Sequence, residues 1–497
     1  MIIVLSILGC LIVLVGFLFG MFKYKNRRIE PDYFQYYKKQ DTTPVGKVGV
    51  FVGGLIMPDK HSHAFFHNII IKIFKVVVPW PFNLLALKDK GVALLDPHHV
   101  HARKEFVPTH LEDAFGNDRD VDGTPYIELY KAGKCVWVPP SGQIYLDHGY
   151  FLFTGRLSGE PSACGKVANK SRLYYYGHGI KQGNGRLPHW EASFKIINGA
   201  FDKIKAKYKN IEVGAACSLL HWDMKKTLHD LLDKGCETII LASPLAIYSH
   251  FEDFNSTFYH AFEYIEEWEK EHNKKVKIII APQMGNFQPA RQAFLDMLKD
   301  RLDAIPEGSS VMVAVTFHGM PWGKFQWEAW LENAPVYSDP LFESVKEMVS
   351  KYKFSKTKVI RCQDEFADPY WNPKGKYTGT ELDFWGSVKA GYIYGTNMAY
   401  WDAIKEGYDY AIGLPIEFHA ENSDTLMHHA MKNYENFDQY NIDDPIDYPD
   451  WSVPYVRVME QGKTKVIYNG VPVGKYQHHI IEALYMALDS AIAKRKS

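Results

Sequence analysis

Apolar positions along this 497-residue chain change character near residue 190. Beyond it, short apolar runs recur between amphipathic helical stretches: IEVGAAC (211–217), TIILASP (238–244), VKIIIAP (276–282), SVMVAVTF (310–317), TKVIRC (357–362) and DYAIGLP (409–415). Runs this short, apolar along their length and alternating with helices predict parallel strands covered on both faces. KVGVFVGG, from Lys47 to Gly54, reads as a first strand. Its closing Gly53 and Gly54 mark a place where backbone turns closely or approaches a ligand. Segments 223–250 and 397–421 share one plan: helix, glycine stop, strand, strand-end proline, then an aromatic residue and a histidine. Two copies of one plan predict two Rossmann-like α/β units facing across a cleft. The first is expected over 46–255 and the second over 256–435, with a C-terminal extension over 436–497 that ends in a helix.

Before residue 190 the pattern is less regular. MIIVLSILGCLIVLVGFLFGMF (1–22) carries no charge, and KYKNRR follows at once. As a helix it is long enough to cross a bilayer's hydrocarbon core. A single-pass transmembrane anchor over 1–24 is therefore expected, with the basic flank holding the rest of the chain on the cytoplasmic side. A cleaved signal would carry positive charge before the apolar run and small residues after it, and both are missing. Residues 25–45 read as a polar linker. The stretch 64–87, AFFHNIIIKIFKVVVPWPFNLLAL, is broken by Lys72, Lys75, Pro79 and Pro81. It reads either as an interfacial helix and loop with Trp80 at the membrane boundary, or as a buried core helix. Residues 96–190 are rich in glycine, proline, histidine and aromatics, with a β-rich insertion expected around KCVWVPP and QIYLDHGYFLF. A lid over the cleft and a partner-binding surface are both open to that insertion. Its GHGIKQGNG loop (177–185) lacks the lysine and Ser/Thr ending of a phosphate loop.

Composition narrows the function classes. With 46% hydrophobic residues the chain can fill one large core or two, which excludes a disordered chain. Fifty-seven basic against 58 acidic residues give no electrostatic footprint for nucleic acid. The six cysteines stand far apart without a CxxC, so no zinc knuckle, iron–sulfur cluster or disulfide framework is indicated. Among the 21 histidines, His98, His99 and His101 in DPHHVHARKEF form either a local metal site or part of a solvated loop.

Two segments carry candidate chemistry. In VAVTFHGMPWG (313–323), His318 is expected to face solvent at the end of a buried strand. Met320, Trp322, Phe325, Trp327 and Trp330 gather large apolar surface near it; capping or packing is the plainer role. In PIEFHAENSDTLMHHAMKN (415–433), Pro415 ends a strand, and Ser423 and Asp424 are helix-capping residues in the plainer reading. Helical spacing also puts Asp424 and His428 on one face, a two-ligand arrangement for a divalent metal, with His419 and Glu421 just upstream.

TFHGMPWG resembles the SAHGLP-type motif of ferrochelatases, and LPIEFHAENSDTL resembles their PIxFxSDHxETL motif. KVGVFVGG, SPLAIYS and AYWDAIKEGYDYAIGLP are similar to further ferrochelatase segments in the same order, so the resemblance runs over most of 46–435. It implies the chelatase-like fold of two Rossmann-like domains. It also implies insertion of ferrous iron or another divalent metal into a porphyrin, the metal being the substrate and no further cofactor being needed. His318 matches the family's active-site histidine and Asp424 its acidic residue, with His428 four positions on along a polar path; all three are implied metal contacts. Gly53, Gly54, Tyr248, Met320, Pro321 and Trp322 fall where the macrocycle slot is implied. Three departures stand out: Asp424 is one methylene shorter than the usual glutamate, Asn422 replaces a histidine, and the family's GDPY segment has no clean counterpart. These leave open a non-catalytic tetrapyrrole carrier or membrane-complex subunit with membrane-protein partners. They also leave open an enzyme that acts on another lipophilic substrate through a His318/Asp424 acid–base pair.

Overall fold

The computed structural model describes residues 2–25, 32–54, 188–319, 329–364, 383–422 and 452–494. Shorter described runs lie at 81, 104–106, 128, 131–132, 135–138, 150–153, 425, 432–434 and 436–440. Helices α1 (Ile2–Lys25) and α2 (Asp32–Lys39) precede β1 (Val48–Gly54). Strands β2 (Lys104–Phe106), β3 (Cys135–Val138) and β4 (Tyr150–Phe153) make a small antiparallel sheet in the order β2-β4-β3, in the region expected to be β-rich. Next come α3 (Pro188–Lys207), β5 (Ile211–Cys217), α4 (His221–Asp233) and β6 (Thr238–Ala242). A π-helix (His250–Thr257) then runs into α5 (Phe258–His272), followed by β7 (Lys277–Ile280). The second half contains α6 (Gln288–Asp303), β8 (Ser310–His318), α7 (Trp330–Ser350), β9 (Lys356–Asp364), α8 (Phe384–Lys389), α9 (Thr396–Lys405) and β10 (Tyr410–Pro415). A hairpin of β11 (Arg457–Gln461) and β12 (Thr464–Tyr468) and the last helix, α10 (Gln477–Ile492), complete it.

The strands form two main sheets, β5-β1-β6-β7 and β11-β12-β10-β8-β9, parallel except for β11. Numbered within its own sheet, each begins in the order second, first, third. The chain therefore reverses its direction of travel between β1 and β6 in one sheet and between β8 and β10 in the other. In open α/β sheets ligands gather beyond the carboxyl ends of the strands at such reversals. The repeated plan in the sequence corresponds to this shared topology. Gly235 (φ +84°) and Gly407 (φ +73°) stop α4 and α9 in the left-handed region, where a side chain would be strained. The chain then enters β6 and β10.

Alternation along the strands divides the core. Val48, Val50 and Val52 of β1 and Val311, Val313 and Val315 of β8 share one continuous cluster with α3, α6, α7 and α10, through Ile196, Phe294, Leu341 and Leu484. Phe51 looks the other way, toward Phe34, Leu228 and Phe262 of α2, α4 and α5. Met312 and Ala314 do likewise toward Ala399 and Tyr400 of α9. Helices thus cover both faces of both sheets, as apolar-throughout strands require.

Several expectations need adjusting. Residues 32–41 are no free linker: Phe34 of α2 is buried against His250 and Phe254, with ring centroids 5.1 Å away in each case. The Tyr36 hydroxyl donates to the Ile278 carbonyl, and the Gln40 amide exchanges two 2.8 Å hydrogen bonds with the backbone of Ile280. Strand β7 hydrogen-bonds in the first sheet, beyond the boundary at 255, and β11 and β12, from the expected extension, join the second. Among the described residues no helix is long and apolar enough to cross a membrane. The transmembrane span expected over 1–24 is therefore not supported, although α1 forms there and exposes its apolar side chains from Leu11 to Phe19. The stretch 64–87, apart from residue 81, and the loop 177–185 lie outside the described residues. So do His98, His99 and His101. Cys217, Cys236 and Cys362 are buried; burial pushes the Cys362 thiol up to about 12.

Phe34→Ala is expected to cost about 3–5 kcal/mol, the usual range for emptying a buried aromatic site. Thermal or urea unfolding of the full chain checks this; an unchanged midpoint would mean that residues 32–39 do not dock.

Candidate functional site

The β8–β10 ladder aligns Thr316 with Pro415, and the Ile416 N–H continues it by donating to the Thr316 carbonyl. This places His318 and the segment 416–422 side by side at the chain reversal of the second sheet. Two residues beyond Thr316, β8 and β9 pair His318 with Asp364, and the Gly319 N–H donates to the Asp364 carbonyl at 2.5 Å.

His318 does not face solvent, as the sequence suggested; it is 6% exposed. Trp330 and Phe418 close over it, at ring-centroid distances of 6.5 and 5.7 Å. Its Nδ1 lies 2.5 Å from the Gly319 carbonyl oxygen, which can only accept. The proton of the neutral ring is therefore on Nδ1 and the lone pair on Nε2, the nitrogen suited to take a proton or a metal.

Around His318 the buried ionisable groups are one-sided. Among the described residues five carboxylates are buried, Glu252, Asp253, Asp364, Glu417 and Glu421, together with His250, His318 and His419; no lysine or arginine is. All eight follow or end strands β6, β8, β9 or β10. Some have neutral partners. Asp364 accepts two hydrogen bonds from the Asn433 side-chain amide, at 2.9 and 3.0 Å. Glu421 accepts from the Tyr468 hydroxyl at 2.8 Å and the Val471 N–H at 3.1 Å. The Ala329 N–H donates to His250 Nδ1, leaving that ring's proton for Nε2.

Glu417 and His419 differ. Glu417 is 4% exposed, and neither carboxyl oxygen has a hydrogen-bond partner of good geometry among the described residues. Burial holds its pKa well above the usual carboxylate range, and the negative charges of Asp364 and Glu252 push it further. The N–H dipoles of His318 and of Glu417 itself offset only part of this. His419, 3% exposed with both ring nitrogens unpartnered, is lowered by burial to about 4 and is neutral at ordinary pH.

The other expected contacts are placed elsewhere or not described. The Tyr248 ring is fully buried, packed on Phe258 and near Phe254 and Tyr37, which makes it a core residue of the first sheet. Gly53 and Gly54 end β1 where side chains have no room: a Cβ would come 2.5 Å from the Phe51 ring at Gly53 and 2.7 Å from the Pro244 ring at Gly54. Met320, Pro321, Trp322, Asp424 and His428 lie outside the described residues. Glu252, Asp364 and Glu417 were not singled out from sequence. The available signal was position, since Asp364 and Glu417 stand at or just past the carboxyl ends of apolar strands.

No family model matches this chain, and no curated protein matches it. Among solved structures it is similar to SirB from Bacillus subtilis with Fe3+, at 11% identity and a TM-score of 0.33, covering 60% of this chain and 89% of that one. It is also similar to the sirohydrochlorin chelatase SirB from Bacillus subtilis subspecies spizizenii in complex with cobalt, at 10% identity and a TM-score of 0.32, covering 61% and 89%. Likenesses this distant carry no conclusion about chemistry.

Because folding lowers the pKa of His419 from 6.5 to about 4, this residue favours the fold above pH 6.5. That contribution is lost as pH falls from 6.5 toward 4, at roughly 1.4 kcal/mol per pH unit. Glu417 has the opposite sign: its pKa is raised, so its contribution is present below pH 4.5 and lost as pH rises. Thermal scans in chelator-containing buffer are expected to show Glu417→Gln more stable than the parent at neutral and mildly alkaline pH. The same scans should show a shallower acid-side decline for His419→Leu. A Glu417→Gln protein that melts lower at neutral pH would mean that the carboxylate has a partner that favours its charge.

Proposed function

We propose that this chain is a chelatase-like enzyme that inserts a divalent metal, ferrous iron in the first instance, into a porphyrin held between the two sheets. The observation that carries the proposal is the meeting of His318 and the PIEFHAE segment at one chain reversal. The imidazole there adjoins a segment in which the buried carboxylates and histidines have no buried lysine or arginine beside them among the described residues. Inserting M²⁺ into a porphyrin releases the two pyrrole N–H protons, so charge balances only if a nearby base takes them up. His318 Nε2 has the right tautomer for that role, and the Trp330 and Phe418 rings offer it apolar surroundings. Asp424 and His428 take the metal-contact roles that the sequence resemblance implies.

Attachment to a membrane belongs to the same proposal. Eight large apolar side chains of α1 between Leu11 and Phe19 are 48–72% exposed, on every face of that stretch. Lys23 and Lys25 close its last turn. A helix apolar all round and followed by basic residues suits a bilayer, in which a lipophilic macrocycle also dissolves.

Two measurements test this. With anaerobic ferrous iron, the full chain is expected to quench free-porphyrin fluorescence by metallation, and His318→Ala to slow this by at least about 100-fold, the usual weight of a positioned proton acceptor. Porphyrin binding with a rate indifferent to His318→Ala would favour the carrier, and no porphyrin binding would end the tetrapyrrole reading. In flotation with phospholipid vesicles the full chain is expected in the lipid fraction, and a chain lacking residues 1–25 in the soluble fraction. Equal partition of the two would remove α1 as the attachment.

A further inference from the structure

Helix α7 begins with an alanine, Ala329, at its N-terminal boundary and so has no side-chain cap of its own there. The first N–H groups of a helix find no partner inside it. The Ala329 N–H is buried and finds one 79 residues earlier in the chain, donating at 2.5 Å to Nδ1 of His250, the first residue of the π-helix that follows β6. The next residue is Trp330, whose ring lies 6.5 Å from that of His318. Asn333 is held on the same side: its side-chain amide donates to the Tyr248 carbonyl at 2.9 Å, and its own carbonyl accepts from Gln283 Nε2 at 3.1 Å. Tyr337 reaches the other sheet, its hydroxyl donating to the Ile416 carbonyl. The opening turns of α7 thus bridge the residues after β6 and those after β10, and His250 sets where the bridge starts. Helix α2 packs on the same anchors. Its Phe34 ring is centred 5.1 Å from that of His250 and its Tyr37 ring 6.0 Å from that of Tyr248, while Lys38 pairs with Glu332 at 3.0 Å.

We propose that His250 is a positioning residue for His318, acting through Ala329 and Trp330, and that α2 buttresses it. An N–H left without a partner in a buried place is costly, so without the His250 acceptor the first turn of α7 shifts or frays until water reaches the Ala329 N–H. Trp330 stands in that turn and moves with it. Its ring is part of the apolar cover that leaves His318 only 6% exposed. Keeping water off an imidazole leaves its lone pair to whatever enters the site. The role deepens the chelatase reading, and rests on it only for what His318 accepts. Because six residues join α1 to α2, attachment of the apolar helix and the cover over His318 share one support.

Diethyl pyrocarbonate, which acylates an unprotonated imidazole nitrogen, is the probe, with the modification rate of His318 read by peptide mass spectrometry in the full chain without metal or porphyrin. His250→Leu, which removes the acceptor, is expected to speed modification of His318 at least about tenfold, and Phe34→Ala at least about threefold, as a local opening does. His250→Asn keeps an oxygen close to where Nδ1 stood and is expected to restore the parent rate. Trp330→Ala is expected to match His250→Leu, and the double variant to be no faster than either, because both remove one cover. His419, 3% exposed, is the internal control and is expected to react at the parent rate throughout. A parent-like His318 rate in His250→Leu overturns the proposal. So do additive effects in the double variant, or equal acceleration of His419, which would mean a generally loosened fold. A parent-like rate in Phe34→Ala removes the part assigned to α2. If His318 opens as expected but no porphyrin is metallated, the positioning stands and the chelatase reading falls. If porphyrin is metallated while His318 stays protected in His250→Leu, the chelatase reading stands and the positioning falls.

Discussion

The parallel ladder between Ser310–His318 and Tyr410–Pro415 is the constraint on which the rest of the molecule depends. Six register pairs, from Tyr410 with Val311 to Pro415 with Thr316, fix the carboxyl ends of two strands about a hundred residues apart in sequence. Whatever follows those ends has to leave the sheet at the same edge. His318 and the segment beginning at Ile416 are neighbours for that reason, and no loop conformation has to be found to make them so. A slip by one residue would exchange the two faces of β8. It would drive Met312 and Ala314 into the cluster that Val311, Val313 and Val315 now fill.

That geometry carries an electrostatic cost. Burying carboxylates near one another without a counter-charge opposes their ionisation, and the fold lessens the cost by providing neutral donors. The Asn433 amide serves Asp364, while a tyrosine hydroxyl and a backbone N–H serve Glu421. For Glu417 the N–H groups of His318 and of Glu417 itself offset only part of the cost, and its carboxyl stays well above the usual range. Strain of this kind tends to persist where it serves a purpose, because elsewhere a glutamine or an apolar side chain would be less costly.

Seven of the eight parallel strands in the two main sheets were legible because continuous apolar runs of strand length, interrupted by amphipathic helices, have few other solutions. His318 was legible as a candidate because it ends such a run, but its burial was not, since Trp330 and Phe418 reach it only through tertiary packing. Glu417 gave only its position just past a strand end: a glutamate in a loop usually points to water, and its burial makes it unusual. The segment DYFQYYKK misled in the opposite direction. Its aspartate, glutamine and lysines read as linker, whereas Phe34 and the tyrosines supply a docking face whose partners lie more than 200 residues away in the chain.

That docking sets a short leash. Six residues separate Lys25, the end of the apolar helix, from Asp32, the first residue held against the body. Fully stretched, the span is about 24 Å at roughly 3.4 Å per step, less than the width of a domain this size. Any surface that captures α1 therefore also fixes which side of the globular part turns toward it: the side bearing α2 and the π-helix. Rotational search of the globular part relative to that surface is largely removed.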